Sequence, residues 1–213
     1  MLQIQRYVNE LMTSNCYVVY DDILKHCIII DPGSEKSLRE IEFINSNYLK
    51  ADYIIITHEH TDHNWGVNSL LAEFKGIKLV SSAESKKWVN KANRAYFLFY
   101  YDDPDYRYEM QLPDVTINSD EEHIDWIGYK IEFVLTPGHS FGSMCIKINN
   151  MLFTGDTIMP YKPFFNGRDS NEDDWESSMK KCSSLIPLET IVYPGHGSEL
   201  VYREWLCNKE YQR

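Results

Sequence analysis

Three of the seven histidines in this chain fall in one short stretch, Thr57-His58-Glu59-His60-Thr61-Asp62-His63. The apolar, β-branched run at 53–56 before it predicts a buried strand. The apolar residues of 65–74 after it recur at the spacing of an amphipathic helix. The histidines therefore lie on a loop between a strand and a helix. Ligand sites in open α/β sheets favour the carboxyl ends of strands.

The residue types of this loop are those of a transition-metal site. Neutral imidazoles and carboxylates are the usual nitrogen and oxygen ligands of zinc and similar metals. Alternate side chains of an extended segment point the same way, so His58 and His60 are able to share one metal ion. Asp62 and His63 lie just beyond and are placed to turn toward a second ion. The alternative is a polar loop with capping side chains, which the spacing of three histidines disfavours.

The pattern His58-x-His60-x-Asp62-His63 resembles the signature of the metallo-β-lactamase superfamily. The resemblance implies an α/β (α+β) fold, a four-layer αββα sandwich with one or two metal ions at the edge of its central sheets. It also implies three further ligands, each in a turn after a strand and in a set order. The chain offers His139 in Thr136-Pro137-Gly138-His139, Asp156 in Gly155-Asp156 and His196 in Pro194-Gly195-His196. The resemblance extends from about Cys27 to about Glu199.

By the same resemblance, the seven ligands divide between two metal ions. One ion takes His58, His60 and His139, the other takes Asp62, His63 and His196, and Asp156 bridges both. The expected cofactor is two zinc ions per chain, with iron or manganese as alternatives because this ligand set accepts several metals. The resemblance implies that a metal-bound hydroxide attacks an acyl or phosphoryl centre. Asp62, which orients the nucleophile, and the bridging Asp156 are the expected catalytic residues.

The nearest branch of the superfamily is that of the small glyoxalase II-like hydrolases, which cleave thioesters. The elements that resemble this branch are Asp31-Pro32-Gly33, the histidine stretch, Thr136 to Ser140 and Gly155-Asp156-Thr157. Glyoxalase II proper has a C-terminal helical extension that holds glutathione, whereas about seventeen residues follow His196 here. The predicted function is therefore a metallo-hydrolase that acts on a thioester or other ester. Whether glutathione is part of the substrate stays open.

Three other functions stay open. A lactonase, β-lactamase or phosphodiesterase would use the same metal site on another substrate. A persulfide dioxygenase would bind one iron ion near His58, His60, His139 and Asp156. A non-catalytic metal-binding module would need a lost ligand, and all seven ligands are present in the sequence.

Composition narrows the class of protein further. The 213 residues are 43% hydrophobic and 25% charged, which suits a single globular domain over 1–213. The formal net charge of −11 repels phosphate backbones, so a small-molecule substrate is expected rather than nucleic acid. No apolar run has the length of a membrane span, and the N-terminus lacks a signal-peptide pattern. Five widely spaced cysteines without a Cys-x-x-Cys pair predict reduced thiols in a cytoplasm.

Two regions are candidates for substrate contact. The stretch 96–108 is dense in aromatic side chains, among them Tyr100 and Tyr101, and tyrosine offers an apolar face with a polar tip. This stretch is either a buried crossover or a wall over the metal site. The loop 158–170 directly follows Asp156 and carries Tyr161 and Arg168. Arg168 holds a substrate carboxylate or phosphate, or else forms a surface ion pair.

Local signals also predict the supports of the site. Asp31 ends a strand, and we expect it to hold the histidine loop by hydrogen bonds rather than to bind metal. Helices are expected to begin at Ser34, at Ser81 with an end near Ala92, at Ser170 and at Ser198. In the Ser170 helix, a stripe is expected to face the core, formed by Trp175, Met179, Cys182 and Ile186.

Overall fold

The computed structural model describes residues 1–100, 105–165 and 167–208, without the side chains of Phe99 and Tyr100. The strands in these ranges are β1 Leu2–Val8, β2 Asn15–Asp21, β3 His26–Ile30, β4 Lys50–Ile55, β5 Lys78–Ser82, β6 Val115–Ile117, β7 His123–Trp126, β8 Tyr129–Leu135, β9 Met144–Ile148, β10 Met151–Gly155, β11 Ile191–Pro194 and β12 Leu200–Val201. The helices are α1 Leu38–Ser46, α2 Val67–Glu73, α3 Ala83–Tyr100, α4 Glu172–Leu185 and α5 Tyr202–Cys207, with a 3₁₀ turn at Thr61–His63. Among the described residues, no helix is both long enough and apolar enough to cross a membrane.

The first of two compact units comprises Met1–Thr116. Its six-stranded sheet has the order β1-β2-β3-β4-β5-β6. Strands β1, β2 and β3 are antiparallel neighbours, whereas β3, β4 and β5 are parallel neighbours. The last residues of β3 and β4, Ile30 and Ile55, pair with each other. The segments that leave these two strands therefore begin side by side, one at Asp31 and one at the approach to the histidine loop.

The inner strands of this sheet are inaccessible to solvent. Ile28, Ile29 and Ile30 of β3 and Ile54 and Ile55 of β4 are all 0% exposed. Burial of consecutive residues, rather than of every second one, is typical of parallel strands covered on both faces. The strand predicted before the histidine loop is thus confirmed, as the end of β4.

The second compact unit comprises residues 117–213. Its six-stranded sheet has the order β12-β11-β10-β9-β8-β7 and is antiparallel except for the parallel pair β10 and β11. Because β8 and β10 are both antiparallel to β9, the strands β8, β10 and β11 all run in the same direction. The predicted ligand turns follow these three strands, so all three turns leave the same end of this sheet.

Helix α4 supplies much of the core of the second unit. The cluster formed with α5 includes Trp175, Cys182, Ile186, Tyr202 and Trp205, all buried. Met179 packs against the cluster and is partly buried. The predicted apolar stripe of this helix is therefore confirmed as core.

Two helices of the first unit differ from the prediction. Helix α1 begins at Leu38 rather than Ser34, because the Ser34 carbonyl accepts from Ser37 N in a separate turn before the helix. On this helix Ile44 is 0% exposed and Ile41 packs against the core, whereas Leu38 is 66% exposed and Glu40 is buried. Helix α3 is capped by Ser82, whose hydroxyl accepts from Ser85 N, rather than by Ser81. It continues to Tyr100, past the expected end, because no glycine or proline interrupts 83–100.

Two helices of the second unit also start later than predicted. Helix α4 is capped by Asn171, whose side chain accepts from Asp174 N at 3.1 Å, rather than by Ser170. The helix predicted from Ser198 begins only at Tyr202. The two residues before it form β12, because pairing with β11 satisfies their main chain in an extended conformation.

Candidate metal centre

The histidine loop follows β4 and is buried along most of its length. His58 is 1% exposed, His63 is 0% exposed and Asp62 is 9% exposed. His60 is half-buried. Polar side chains are buried in proteins when they are hydrogen-bonded or bound to a metal ion. The partners of these four side chains therefore decide what the loop does.

The four predicted ligands of this loop form two close pairs. His58 Nε2 lies 3.1 Å from His60 Nδ1, and Asp62 Oδ2 lies 3.4 Å from His63 Nε2. Two ligand atoms on one tetrahedral zinc ion are about 3.3 Å apart, given zinc–ligand bonds of about 2.0–2.1 Å. Each pair therefore has the separation that a shared ion requires.

Asp31 fixes the loop and the protonation of two imidazoles. Its carboxylate accepts hydrogen bonds from Thr57 N and Thr57 Oγ1, both at 2.7 Å, and from His63 Nδ1 at 2.9 Å. Since the one Thr57 hydroxyl proton goes to Asp31, Thr57 Oγ1 accepts from His58 Nδ1 at 3.0 Å. Both histidines thus carry a proton on Nδ1 and offer Nε2 as the ligand atom. The prediction that Asp31 holds the loop by hydrogen bonds is confirmed.

The three predicted ligands of the second unit meet at one carboxylate. Asp156 Oδ2 lies 3.4 Å from His139 Nε2 and 3.5 Å from His196 Nε2. His139 and Asp156 are 7% and 8% exposed, and His196 is half-buried. These separations also match the edge of a coordination tetrahedron around zinc. The Asp156 oxygen is thus close enough to both histidines to share an ion with each, as the predicted bridging role requires.

Helix α4 positions the His139 turn. Ser178 Oγ donates to the carbonyl of Pro137 at 2.8 Å. Gly138, at φ +147°, lies so close to the helix that an added Cβ would be 2.4 Å from Trp175 Cβ. Both the backbone angle and the contact require glycine. The Pro-Gly-His sequence is therefore needed to bring this histidine against the helix.

The turn that carries Asp156 is tied to its neighbours on both sides. Trp175 Nε1 donates to the carbonyl of Thr157 at 2.8 Å. The Gly195 main-chain N–H donates to the carbonyl of Gly155 at 2.7 Å, which joins the Asp156 turn to the turn of the third histidine. Packing and main-chain bonds thus place the ligands of the second unit.

Comparison with known families decides what kind of protein carries this site. The family model of the metallo-beta-lactamase superfamily matches residues 10–196, a range that includes all seven predicted ligands. The chain belongs to the metallo-β-lactamase superfamily. The resemblance noted in the sequence is therefore confirmed.

Several members of the superfamily are similar along most of this chain. A probable polyketide biosynthesis zinc-dependent hydrolase of Bacillus velezensis is 28% identical over 199 residues, covering 91% of this chain and 77% of the relative. A hydroxyacylglutathione hydrolase of Aeromonas hydrophila is 27% identical over 173 residues, covering 80% of this chain and 57% of the relative. The chain thus spans a little over half the length of the Aeromonas enzyme. These relatives support a metallo-hydrolase.

A solved structure extends the agreement to the fold. The crystal structure of the BLEG-1 B3 metallo-beta-lactamase superposes with a TM-score of 0.84 at 22% identity, and the match covers 97% of each chain. The predicted α/β class, with two sheets and flanking helices, is confirmed as the metallo-β-lactamase fold.

The substrate contacts predicted for this superfamily member are placed only in part. Tyr161 is 39% exposed, and Arg168 is also exposed, on the loop that follows Asp156. Tyr101 lies outside the described residues, as does the side chain of Tyr100. All four contacts stay predictions.

The described part of the aromatic stretch packs beside the histidine loop. Phe97 and Tyr108 belong to the buried core of the first unit, as expected of a buried crossover. Trp65 lies 5.4 Å from Phe97 between ring centroids, and its Nε1 donates to Tyr106 OH at 2.9 Å. Burial raises the pKa of the Tyr108 phenol well above its ordinary value. The phenol therefore stays protonated and donates to the carbonyl of Asn64 at 2.5 Å.

The sequence did not reveal the polar side chains that hold Asp62. Ser14 Oγ donates to the Asp62 carbonyl at 2.5 Å, and Asn9 Nδ2 donates to Ser14 Oγ at 2.9 Å. A Cβ added to Gly33 would lie 1.6 Å from the same carbonyl. Gly33 is the one signal for this contact that the sequence offers, because a glycine after Asp31-Pro32 indicates a close approach of another segment.

The surroundings of Cys27 and Cys182 do not favour metal binding. Cys16, Cys27, Cys145 and Cys182 are buried free thiols, and Cys207 is exposed. Burial raises the pKa of the Cys27 thiol to about 12. A hydrogen bond with Cys145, together with burial, raises the pKa of the Cys182 thiol far above its ordinary value. Because metals bind the thiolate, thiols that stay protonated are poor ligands.

Proposed function

We propose that this protein is a dinuclear metal-dependent hydrolase that cleaves an acyl substrate, a thioester or another ester. The proposal rests above all on the Asp156 carboxylate, one oxygen of which lies within 3.5 Å of both His139 Nε2 and His196 Nε2. A carboxylate shared between the ligands of two ions is typical of two-metal catalytic sites. In structural zinc sites, by contrast, four protein ligands fill the coordination shell of one ion.

The assignment of ligands to ions is the one that the resemblance to the superfamily implies, and two pairs in the first unit support it. The His58–His60 pair and the Asp62–His63 pair each have the separation of two ligands on one ion. One ion would take His58, His60 and His139, the other would take Asp62, His63 and His196, and Asp156 would bridge them. We propose zinc, because the donors are imidazoles and carboxylates with room for solvent. Iron and manganese accept the same donors.

The chain's own residues prepare the site for hydrolysis. When bound, the metal ions polarise the substrate carbonyl and lower the pKa of water to about 7. Asp31 and Thr57 keep the Nδ1 atoms of His58 and His63 protonated, so that their Nε2 atoms remain available as ligands. Asp62 keeps 9% of its surface exposed, and its carboxylate orients the attacking water.

An apolar acyl group suits the surface next to the ligand turns of the second unit. Phe141, Tyr161 and Phe164 are 37%, 39% and 69% exposed, and they lie shortly after His139 and Asp156 in the chain. Exposed apolar side chains beside a site favour an apolar ligand. Arg168, on the same loop as Tyr161, would supply a positive charge for a carboxylate or phosphate on the substrate.

The relatives support hydrolysis but leave the leaving group open. The Bacillus relative is named a zinc-dependent hydrolase and the Aeromonas relative a hydroxyacylglutathione hydrolase. Because this chain covers 57% of the Aeromonas enzyme, we propose a thioester without assigning glutathione to it. Four buried free thiols support a reducing compartment, so we propose a cytoplasmic enzyme with a small-molecule substrate.

Metal analysis and a substrate panel test the proposal together. We expect about two zinc ions per chain in protein purified without chelator, and turnover of thioesters ahead of lactones and phosphodiesters. His139→Ala should lose metal and activity. His123→Ala is the matched control, because His123 is an exposed histidine on β7, outside the ligand turns. Two bound metals without hydrolysis of any panel member would overturn the hydrolase. One bound iron with oxygen uptake on a persulfide would replace it with a dioxygenase.

A further inference from the structure

Two fully buried asparagines lie next to the histidine loop. Asn64 follows the 3₁₀ turn, Asn93 lies on α3, and both are 0% exposed. Asn64 Nδ2 donates to the carbonyl of Glu59 at 3.0 Å and to that of His60 at 2.7 Å. These two bonds use both protons of the amide and fix which way it points.

The Asn64 oxygen and the Asn93 amide extend these bonds into a chain. Asn64 Oδ1 accepts from Asn93 Nδ2 at 3.0 Å, and Asn93 Oδ1 accepts from Thr61 Oγ1 at 2.8 Å. Turning either amide over would set two oxygens, or two N–H groups, against each other. A single orientation therefore satisfies the whole chain of bonds, which begins and ends on the histidine loop.

We propose that Asn64 and Asn93 form an amide brace that holds the histidine loop in its metal-binding conformation. The proposal rests on the metal site of the proposed function. Neither asparagine binds metal; both are positioning residues that act through the main chain of the loop. By fixing the carbonyls of residues 59 and 60, Asn64 sets the backbone between His58 and His60. That backbone determines the 3.1 Å separation of His58 Nε2 and His60 Nδ1.

Helix α3 also offers a matched control. Asn90 lies one turn before Asn93 and likewise bonds the main chain, donating to Met110 O at 3.3 Å and accepting from Met110 N at 2.9 Å. Its partner belongs to the segment after the aromatic stretch, not to the histidine loop. A substitution of Asn90 therefore shows how much zinc affinity and stability are lost when a half-buried amide is removed from this helix and the brace is kept.

Leucine is the test substitution, because it keeps the number of side-chain heavy atoms and the net charge while removing every hydrogen bond. We expect Asn64→Leu to lower zinc affinity about 10–100-fold, the usual loss when the support of a ligand is removed. Asn93→Leu should lie near the lower end, about 10-fold, because both carbonyl bonds of Asn64 remain possible. Asn90→Leu should keep the wild-type affinity.

Affinity is measured by titrating the zinc-loaded full-length protein with a chromophoric chelator. The absorption spectrum of the cobalt(II)-substituted protein gives a second reading, since it responds to the arrangement of the ligands around the ion. We expect an altered spectrum for both brace variants and a wild-type spectrum for Asn90→Leu. Urea unfolding of the same three variants separates loss of fold from loss of positioning. Should Asn64→Leu not fold, Asn93→Leu carries the test.

The outcomes separate the brace from the proposed function, because none of these readings uses a substrate. Wild-type affinity and spectrum in both brace variants would overturn the brace and leave the proposed function intact. An equal loss in Asn90→Leu would also overturn it, since the effect would then be general destabilisation. A wild-type protein that binds no zinc or other metal would overturn the proposed function itself.

Discussion

The two ligand-bearing regions of this protein are built in different ways. In the first unit, four predicted ligands fall within one loop, and buried polar side chains such as Asp31, Ser14 and Asn64 hold the main chain of that loop. In the second unit, three predicted ligands follow three strands that run in the same direction, and sheet pairing and α4 place them. Polar side chains position the first region, whereas strand ends and packing position the second.

The difference follows from what each kind of backbone supplies. A strand end inherits its position from the hydrogen bonds of the sheet, whereas every main-chain group of a buried loop needs a partner of its own. Polar substitutions should therefore damage metal binding through the first unit. Packing substitutions should damage stability through the second.

The largest effect is expected from removing the packing that holds the second region. Trp175 is 6% exposed and lies 5.6 Å from Phe165 and 6.4 Å from Trp205 between ring centroids. We expect Trp175→Ala to lower the free energy of unfolding by about 3–5 kcal/mol, because it removes a buried aromatic side chain. Urea unfolding measures the loss. Trp88→Ala is the control, since Trp88 is only partly buried, with Lys91 over its ring. Equal losses would contradict the importance of α4.

Asp156 is the one place where charge, rather than packing, should dominate the second region. Asp156→Asn keeps the size of the side chain but replaces the charged oxygens with one neutral acceptor. We expect kcat on the best thioester to fall about 100–1000-fold, equivalent to about 2.7–4 kcal/mol, with metal lost on dialysis. Circular dichroism should show an unchanged fold. A variant that holds two metals at full rate would refute the bridging role.

Asp31 tests the polar side of the comparison. We expect Asp31→Asn to weaken zinc binding about 10–100-fold, because the single oxygen of an amide cannot accept from Thr57 N as well as from Thr57 Oγ1 and His63 Nδ1, as the two carboxylate oxygens do. The control is Asp21→Asn, the same substitution at another carboxylate in the sheet of the first unit. A hydrogen bond from the Leu24 N–H lowers the pKa of the Asp21 carboxyl to about 2. Chelator competition should give wild-type affinity for Asp21→Asn. If both variants lose affinity alike, the loop does not depend on Asp31 in particular.

Much of the site could be predicted because its signals are local. The turns that carry His139, Asp156 and His196 each follow a strand and contain a glycine directly before the predicted ligand. The ligand pattern of the histidine loop is likewise contained in seven residues. Periodicity and turn chemistry of this kind are properties of neighbouring residues, so one sequence records them.

The supporting contacts made by Ser14 and Asn93 could not be predicted, because they join distant parts of the chain. Asn93 is 29 residues from Asn64, and Ser14 is 48 residues from Asp62. A single hydrogen bond across such a distance leaves no period in the sequence. The start of helix α1 differs for another reason: the Ser34 carbonyl accepts from Ser37 N, so the turn at Ser34 is separate from the helix.

Glu40 on α1 is a buried carboxylate of the first unit whose environment contrasts with that of Asp31. It is 0% exposed, and neither carboxylate oxygen has an N–H or O–H donor from another described residue. Burial raises the pKa of the Glu40 carboxyl above its ordinary value of 4.5, and the charge of Arg39 offsets only part of this. A raised pKa means that the folded state holds the proton more tightly than the unfolded state. Stability is therefore lost as pH rises above 4.5 through the folded pKa.

The smallest effect is expected from removing the Glu40 charge. It should be a gain in stability, whereas the other substitutions should cause losses. Glu40→Gln should raise the free energy of unfolding at pH 7 by about 1 kcal/mol, because a neutral side chain avoids the burial of a charged carboxylate. At pH 4 the wild-type side chain is mostly protonated in both states, so most of the gain should vanish. Urea unfolding of chelator-treated protein across this range measures it, with the exposed Glu42→Gln on the same helix as control. A gain of equal size at pH 4 and pH 7 would show that the amide packs better and that the charge is not the cause. A loss at pH 7 would mean that the first unit tolerates an unbraced carboxylate, and the contrast with Asp31 would fail.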